Sequence, residues 1–222
     1  IDFGLRDDAG IEKYRRFAEE MADVVMRYGG SFSGEHGDGQ ARAELLPKMY
    51  GDELMRAMRE FKSAWDPQWK MNPGKVIDPF PITANLRLHH FHPPKQDTYF
   101  SYPDEGGDFN QAVVRCVGVG ACRHHSGGVM CPSYMATGEE KHSTRGRARL
   151  LFEMIKGGPI KDGWRSEAVH EALDLCLACK GCKQDCPVNV DMATYKAEFN
   201  AHYYAGRLRP RAAYAMGLIH RW

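Results

Sequence analysis

The stretch Cys176-Leu-Ala-Cys-Lys-Gly-Cys-Lys-Gln-Asp-Cys-Pro187 sets three cysteines three residues apart and a fourth four residues later, directly before a proline. Iron-sulfur proteins use this spacing to hold clusters, with three thiolates on one cluster and the fourth on a second. Loop amides can donate to the anionic sulfurs, and Lys180 and Lys183 add positive charge. A zinc knuckle or unligated thiols are the alternatives, and the complete run with its trailing proline favours iron-sulfur clusters.

The other three cysteines form an incomplete counterpart of this run. Cys116 and Cys122 stand six residues apart, and Val119 occupies the middle position where the complete run has a cysteine. Cys131 follows, and it too precedes a proline. In two-cluster proteins the fourth cysteine of each run ligates the other cluster. Counting then predicts one set of four ligands and one of three: Cys131, Cys176, Cys179 and Cys182 for the first, and Cys116, Cys122 and Cys186 for the second.

The three-thiolate set leaves two possibilities open. It can hold a [3Fe–4S] cluster, or a fourth iron can take a non-cysteine ligand, for which His124 and His125 stand nearby in the sequence. The three-iron cluster is slightly favoured, because valine cannot ligate iron and a histidine after Cys122 requires the insert to fold back. The two histidines are equally compatible with a solvent-facing loop.

Composition sets outer limits on the function. The 222 residues carry 30 basic and 29 acidic side chains, and the net charge of +1 gives no electrostatic case for binding nucleic acid. All seven cysteines lie between Cys116 and Cys186, which predicts two modules, and their spacing favours a reducing compartment. No apolar run approaches the ~20 residues of a membrane span, and no signal peptide opens the chain. Because the first residue is Ile1, we expect a piece of a longer protein.

Two amphipathic helices and two glycine-containing turns are predicted before the cysteines. The helices run from about 11 to 27, capped by Asp8, and from about 47 to 65. Between them lies the loop Gly34-Glu-His-Gly-Asp-Gly39, and Asn72-Pro-Gly-Lys75 makes a turn into an extended segment. Adjacent glutamate and histidine side chains on such a loop can reach a substrate or a metal ion. A flexible turn without chemistry is the alternative.

The glycine loop, Trp65-Asp-Pro67 and the Asn-Pro-Gly-Lys turn together resemble the C-terminal end of the FAD-linked oxidases, a family of D-2-hydroxy acid dehydrogenases. The resemblance implies an α+β cap-domain remnant over residues 1–80, with most of the FAD site upstream. It implies that Glu35 binds a divalent metal such as zinc or manganese that grips the substrate. It also implies that His36 takes the hydroxyl proton while hydride leaves for the flavin, and that Asn72 and Lys75 lie beside FAD.

Residues 81–112 are predicted to be an ordered linker, because prolines and glycines interrupt any periodicity. The linker contains His89, His90 and His92. No carboxylate or cysteine stands at ligand spacing beside them, so a surface loop is favoured over a metal site.

Residues 113–222 are predicted to form an all-α domain that delivers the cysteines. Helices are expected from about 144 to 156, capped by Ser143 or Thr144, from about 166 to 175, and from about 192 to 204. Three arginines, at 145, 147 and 149, mark the first of these helices. One interpretation is that all three are ordinary surface charges. The other is that Arg145 or Arg147 lies near the clusters and offsets their negative charge.

The pattern Cys131-Pro-Ser-Tyr134, Ser143-Thr-Arg-Gly-Arg147 and the four-cysteine run resembles the iron-sulfur subunits of glycolate oxidase and of related reductases. These subunits have the α-helical ferredoxin fold. Over nearly its whole length the chain resembles large fused bacterial dehydrogenases, including those for D-2-hydroxyglutarate, that carry FAD and iron-sulfur domains on one polypeptide. Val119 departs from the complete first motif of these families.

The resemblance implies the electron-transfer portion of a flavin-dependent D-2-hydroxy acid dehydrogenase of the D-2-hydroxyglutarate or D-lactate type. Electrons are expected to pass from FAD through two clusters to a quinone or a carrier protein. The expected location is the cytoplasm, with a peripheral position at the inner membrane as a second option. The alternatives are a ferredoxin-like module without substrate chemistry and a zinc-bound scaffold. The sequence specifies neither the acid nor the oligomeric state.

Overall fold

The computed structural model describes residues 3–217, and within that range it contains nine α-helices and no strand. The chain divides into two compact units, Ile1–His92 and Pro93–Trp222. The predicted domain boundaries at 80 and 112 stay a prediction. Residues 218–222, the end of the predicted cluster domain, lie outside the described residues. Across residues 3–217, no helix combines the length and apolar character that crossing a bilayer requires.

The first unit contains helices α1 (Asp8–Arg27) and α2 (Leu46–Trp65), and the second contains the other seven. These are α3 (Phe109–Val114), α4 (Pro132–Thr137), α5 (Thr144–Lys156), α6 (Glu167–Asp174), α7 (Gly181–Asp185), α8 (Met192–Tyr203) and α9 (Arg211–Gly217). The five helices predicted from apolar spacing are therefore confirmed, as α1, α2, α5, α6 and α8.

A single carboxylate, that of Glu44, connects three segments of the first unit. Arg15 of α1 donates to it at 2.8 and 3.5 Å, and the amide of Ile82 donates at 2.7 Å. The start of α1 departs from the expectation in one detail. Asp7, not Asp8, caps the helix, because its side chain accepts a 2.7 Å hydrogen bond from a first-turn amide.

Helix α2 is bent at Gly51, whose φ of 71° lies in the left-handed region that glycine tolerates. The helix ends where Asp66 accepts hydrogen bonds from the amides of Lys70 at 3.0 Å and Met71 at 2.9 Å. Lys62 Nζ lies 2.8 Å from the same carboxylate. The predicted stop at Trp-Asp-Pro is therefore built around the Asp66 side chain.

The expectation of an α+β cap-domain remnant in residues 1–80 is wrong. No strand occurs anywhere in the described range, 3–217. The residue pattern predicted helices and turns with an extended segment after Lys75, and the family resemblance implied the α+β cap. Instead of an extended segment, turns follow residue 75, with the Phe80 amide donating to Gly74 O and the Ala84 amide to Pro81 O. Nearby prolines lack the amide donor that a strand ladder needs.

Helix α5 is the centre of the second unit and packs against α3, α6 and α8. Ser143, one of the two predicted caps, accepts a 2.9 Å hydrogen bond from the amide of Gly146. The apolar core around α5 is fully buried and includes Phe109, Val113, Leu151, Phe152, Val169, Leu173, Val190, Met192 and Phe199. This core fixes the first turn of α5, against which the cysteine loops lie. The all-α expectation for this part of the chain agrees with the structure.

Candidate metal centre

Two separate cavities beside the first turn of α5 collect the seven cysteines. The first is lined by four of them, Cys131, Cys176, Cys179 and Cys182, together with Thr144 and Arg147. The second is lined by three, Cys116, Cys122 and Cys186, together with Val119 and Arg145. The structure thus brings the cysteines together in the two sets that counting predicted. That each set ligates a cluster stays a prediction.

The two histidines considered as a fourth ligand do not line the three-cysteine cavity. Its lining within the described residues includes neither His124 nor His125, and both side chains are exposed. The ring of His125 lies 5.4 Å from the ring of Tyr134 instead. Val119 does line the cavity, at the position where the complete run places a cysteine.

Left-handed backbone turns wrap the cysteine loops around the cavities. In the four-cysteine run, Ala178 (φ 52°) and Lys180 (φ 59°) flank Cys179, and Cys131 itself has a φ of 54°. Such values are uncommon for residues with a side chain and mark positions that the surroundings over-determine. They let three thiols of a short loop point at one space.

The first turn of α5 directs backbone amides at the sulfurs. The Thr144 amide donates to Cys131 Sγ at 3.0 Å, and the Arg145 amide donates to Cys122 Sγ at 3.3 Å. These amides belong to the orphan donors of a helix N-terminus, where the helix dipole also favours negative charge. One helix start therefore serves one cysteine of each set.

Cys122 and Cys131 belong to different sets, and their thiol groups interact through a hydrogen bond. The side-chain hydrogen bond from Cys131 and the amide of Arg145 lower the pKa of Cys122 to about 6. The same bond, together with burial, raises the pKa of Cys131. Burial likewise raises the pKa of Cys182. Thiolate is the form that binds metal, and the amide of Arg145 favours this form at Cys122.

Cationic side chains lie beside the thiols, and Lys180 is one that lines the four-cysteine cavity. The Arg147 guanidinium is buried in the wall of the four-cysteine cavity, and Arg145 lines the three-cysteine cavity. Lys196 Nζ donates to the carbonyl oxygen of Cys176 at 2.7 Å. Burial lowers the pKa values of Arg147 and Lys196 while the nearby Cys176 thiol raises them. Soft thiolate donors, amide hydrogen bonds and fixed cations together fit an anionic iron-sulfur cluster.

Sequence reasoning missed Thr144 as a cysteine partner and missed Lys196 altogether. The Thr144 hydroxyl oxygen lies 2.8 Å from Cys131 Sγ, a contact that the Ser-Thr pair before α5 suggested only as a cap. Nothing in the sequence marks Lys196, which lies on α8 and reaches Cys176 through the fold.

In the first unit the predicted substrate residues lie on an open loop. His36 Nε2 lies 3.1 Å from Glu35 Oε2, with the two side chains 76% and 87% exposed. Lys75 Nζ donates to Gln40 Oε1 at 2.7 Å, which ties the Asn-Pro-Gly-Lys turn to the residue that follows the glycine loop. Asn72 has a φ of 47° in that turn. The structure thus pairs Glu35 with His36 and sets Lys75 beside their loop.

The histidine cluster of the predicted linker meets α1. One ligand atom each of Asp8, His89 and His90 lies within 4.8 Å of the others, and His89 Nε2 lies 3.0 Å from Asp8 Oδ1. Asp8 and His90 are exposed. The arrangement is that of a surface hydrogen bond with a stacked neighbouring ring, and His89 and His90 stack at 3.7 Å.

Comparison with known proteins finds a family match in each half of the chain. Residues 1–76 match the C-terminal domain of the FAD linked oxidases, and residues 112–190 match the 4Fe-4S dicluster domain. The chain is thus similar in its first part to the C-terminal domain of the FAD linked oxidases and in its second part to the 4Fe-4S dicluster domain, and the predicted resemblance is confirmed.

Individual relatives cover almost the whole chain. D-2-hydroxyglutarate dehydrogenase of Pseudomonas putida is 29% identical over 97% of this chain and 24% of its own length. The Escherichia coli protein of the same name is 28% identical over 88% of this chain and 22% of its own length. A mitochondrial cytochrome-type D-lactate dehydrogenase of Arabidopsis thaliana is 37% identical over 32% of this chain and 13% of its own length. The chain thus spans about a quarter of the length of the relatives that cover it. No solved structure matches it significantly.

Proposed function

We propose that the chain is the electron-transferring part of a flavin-dependent D-2-hydroxy acid dehydrogenase, of the D-2-hydroxyglutarate or D-lactate type. One observation carries the proposal: two cysteine sets line two neighbouring cavities on the same chain as a FAD linked oxidase domain. Relatives named D-2-hydroxyglutarate dehydrogenase, which match both units, support the substrate class. The acceptor is a quinone or an electron-carrier protein.

In this proposal the residues of each unit have distinct roles. Bound FAD supplies two-electron oxidation of the substrate carbon and one-electron release. His36 would accept the substrate hydroxyl proton, and Glu35, whose Oε2 lies 3.1 Å from His36 Nε2, would be a ligand for a divalent metal that binds the substrate oxygens. Asn72 and Lys75 lie beside FAD, and Lys75 also ties their turn to Gln40 after the glycine loop. The thiolates of the two cysteine sets hold the clusters that carry single electrons.

We further infer that the three-cysteine cavity holds a [3Fe–4S] cluster. Val119 lines the cavity in place of a middle cysteine, and neither His124 nor His125 is among its lining residues. Three thiolates match the three irons of such a cluster, whereas the other cavity has four thiolates for a [4Fe–4S] cluster.

Iron and acid-labile sulfide analysis of the anaerobically purified full-length protein, with low-temperature EPR, tests the cluster assignment. About seven irons per chain, with the EPR signal of an oxidised three-iron cluster, is the expected result. If the protein holds about eight irons and gives no EPR signal before reduction, the three-cysteine cavity holds a second four-iron cluster and not a three-iron cluster. Zinc without iron or sulfide would contradict the electron-transfer function.

The exposure of Glu35 and His36 favours a second candidate, a ferredoxin-like module whose first unit has no substrate chemistry. Replacement of each residue in the full-length enzyme, Glu35→Gln and His36→Gln, distinguishes the two. The proposed function expects loss of flavin bleaching by D-2-hydroxyglutarate or D-lactate with iron content unchanged. Unchanged bleaching supports the module without substrate chemistry. Glu12→Gln, on the exposed face of α1, is the matched control.

A further inference from the structure

Arg147 is a buried cation in the wall of the four-cysteine cavity. The residue is 2% exposed, although arginine is rarely buried without a partner of opposite charge. Its Nε donates to the carbonyl oxygen of Ala172 at 2.7 Å, and an Nη atom donates to Ser133 Oγ at 2.9 Å. Both acceptors are neutral. Within residues 3–217 no carboxylate oxygen lies within 4.0 Å of this guanidinium.

The neighbouring arginines of α5 differ from Arg147 in this respect. Arg145 Nε lies 2.7 Å from a carboxylate oxygen of Glu140, and Arg149 pairs with Glu153 on the exposed face. A guanidinium remains protonated at neutral pH, and a buried charge without a counter-charge is strongly unfavourable. The cavity that Arg147 lines holds four thiol groups, which become anionic when they ligate iron. The four cysteine thiolates that ligate iron therefore supply the counter-charge of Arg147.

We propose that Arg147 raises the reduction potential of the cluster held by Cys131, Cys176, Cys179 and Cys182, an inference that rests on the proposed function of those cysteines. Reduction adds one electron to this site, from reduced flavin in the enzyme or from a chemical titrant, and no bond or proton changes. The added negative charge is stabilised by a cation that two hydrogen bonds hold in place and that water screens little.

The same geometry makes the two sites electrostatically unequal. Arg145 lies beside the three-cysteine cavity and pairs with Glu140. Its side chain is partly exposed to solvent, which screens its charge. Within residues 3–217, no carboxylate pairs with Arg147 in the same way. Removal of the Arg147 charge is therefore expected to change the potential of the four-cysteine cluster more than that of the other cluster, which Arg147 reaches electrostatically through Cys122.

A redox titration of the full-length holoenzyme, followed by EPR, tests this inference in Arg147→Gln and Arg147→Lys. The glutamine variant is expected to keep its iron and to reduce at least tenfold less favourably, a 59 mV fall in midpoint for one electron. The lysine variant keeps the charge and is expected to titrate close to the wild-type midpoint. Arg149→Gln, which removes an exposed and paired arginine of the same helix, is the control and is expected to change nothing.

The outcomes separate this inference from the proposed function. Wild-type protein without iron and sulfide contradicts the proposed function itself. Iron-loaded Arg147→Gln with the wild-type midpoint overturns only the role of Arg147. If the glutamine variant loses its iron, the lysine variant decides. If Arg147→Lys keeps its iron and the wild-type midpoint, the charge of Arg147 is supported as the cause. If Arg147→Lys also loses its iron, the site needs the two hydrogen bonds and not the charge.

Discussion

The backbone amide of Thr144 donates to Cys131 Sγ at 3.0 Å, and the hydroxyl oxygen of the same threonine lies 2.8 Å from that sulfur. Both residues are buried, so water does not compete for either contact. Hydrogen bonds to ligand sulfurs raise the reduction potential of an iron-sulfur cluster. Thr144 therefore contributes through two atoms, and only one of them can be removed by mutation.

Thr144→Val removes the hydroxyl contact and keeps the amide. We expect the variant to retain its iron and to show a lower midpoint potential for the four-cysteine cluster, by less than in Arg147→Gln because no charge is lost. EPR-monitored titration measures the change. Thr98→Val is the matched control, since the Thr98 hydroxyl donates to the carbonyl oxygen of Phe100 and to no cysteine. A midpoint equal to that of the control would contradict the prediction.

Gly146 brings the first turn of α5 against the segment before it. A Cβ atom at this position would lie 2.0 Å from the carbonyl oxygen of Glu140 and 2.7 Å from its carbonyl carbon. Gly146→Ala is therefore expected to lower the free energy of unfolding by about 1–3 kcal/mol, through displaced backbone. Urea unfolding of the iron-loaded protein measures this. Gly217→Ala, where a Cβ meets no atom of residues 3–217 within 4 Å, is expected to change stability by at most about 1 kcal/mol.

Glu198 anchors part of the predicted linker into the second unit. Its fully buried carboxylate has four partners at 2.9 to 3.2 Å, the amides of Tyr99 and Phe100 and the side chains of Tyr102 and His202. Glu198→Gln replaces an acceptor by an amide group that faces donors, so we expect a loss of about 2–4 kcal/mol of stability. Thermal and urea unfolding measure it.

Glu171→Gln is the control for this substitution. Its exposed carboxylate pairs with Lys141 at 2.8 Å, and surface pairs contribute about 1 kcal/mol or less. Equal losses in the two variants would show that Glu198 is no more important than a surface glutamate.

The grouping of the cysteines was predictable, and the electrostatics around them were not. In two-cluster proteins the fourth cysteine of each run ligates the other cluster, and with that rule counting gave both sets. Arg145 and Arg147 are two positions apart, and residues at that spacing lie on different sides of a helix. Which of them is buried depends on how α5 packs against α6, where Ala172 provides the acceptor. Long-range packing of this kind leaves no mark in the local sequence.

The helices could also be predicted from the sequence. The strands that the family resemblance implied could not. Apolar spacing and capping side chains such as Ser143 act within one turn of chain, so they are readable locally. A strand needs a partner strand, and the backbone bonds of Phe80 and Ala84 after Lys75 close local turns. Glu198 was unremarkable in the sequence, because its four partners are up to 99 residues away.

Asp66 makes the end of α2 sensitive to acid. The hydrogen bond from Lys62, followed by those from the amides of Met71 and Lys70, lowers its pKa below the usual 3.8. A lowered folded-state pKa means that the stabilisation is complete above the unfolded-state pKa and is lost as pH falls through the folded-state value. Protection of the Lys70 and Met71 amides from hydrogen exchange, corrected for the intrinsic rate, is therefore expected to fall below about pH 4.

Asp66→Asn provides the comparison for this pH dependence. The variant has no carboxylate to protonate, so we expect weaker protection of the two amides at neutral pH and little further change on acidification. A parallel fall in both proteins would assign the acid sensitivity to another group.

Val119 decides the composition of the second cluster. It lines the three-cysteine cavity, and its own φ is negative, unlike those of Gly118 and Gly120 on either side, so a cysteine fits this backbone position without strain. Val119→Cys supplies the missing middle thiolate, and we expect iron to rise from about seven to about eight per chain with loss of the three-iron EPR signal. Val117→Cys adds a thiol to the same cavity at the wrong spacing and is expected to leave both readouts unchanged. If Val119→Cys also keeps seven irons, the fourth iron position is blocked by something other than the missing thiolate. If wild type already holds eight, another group supplies the ligand and the three-iron assignment is wrong.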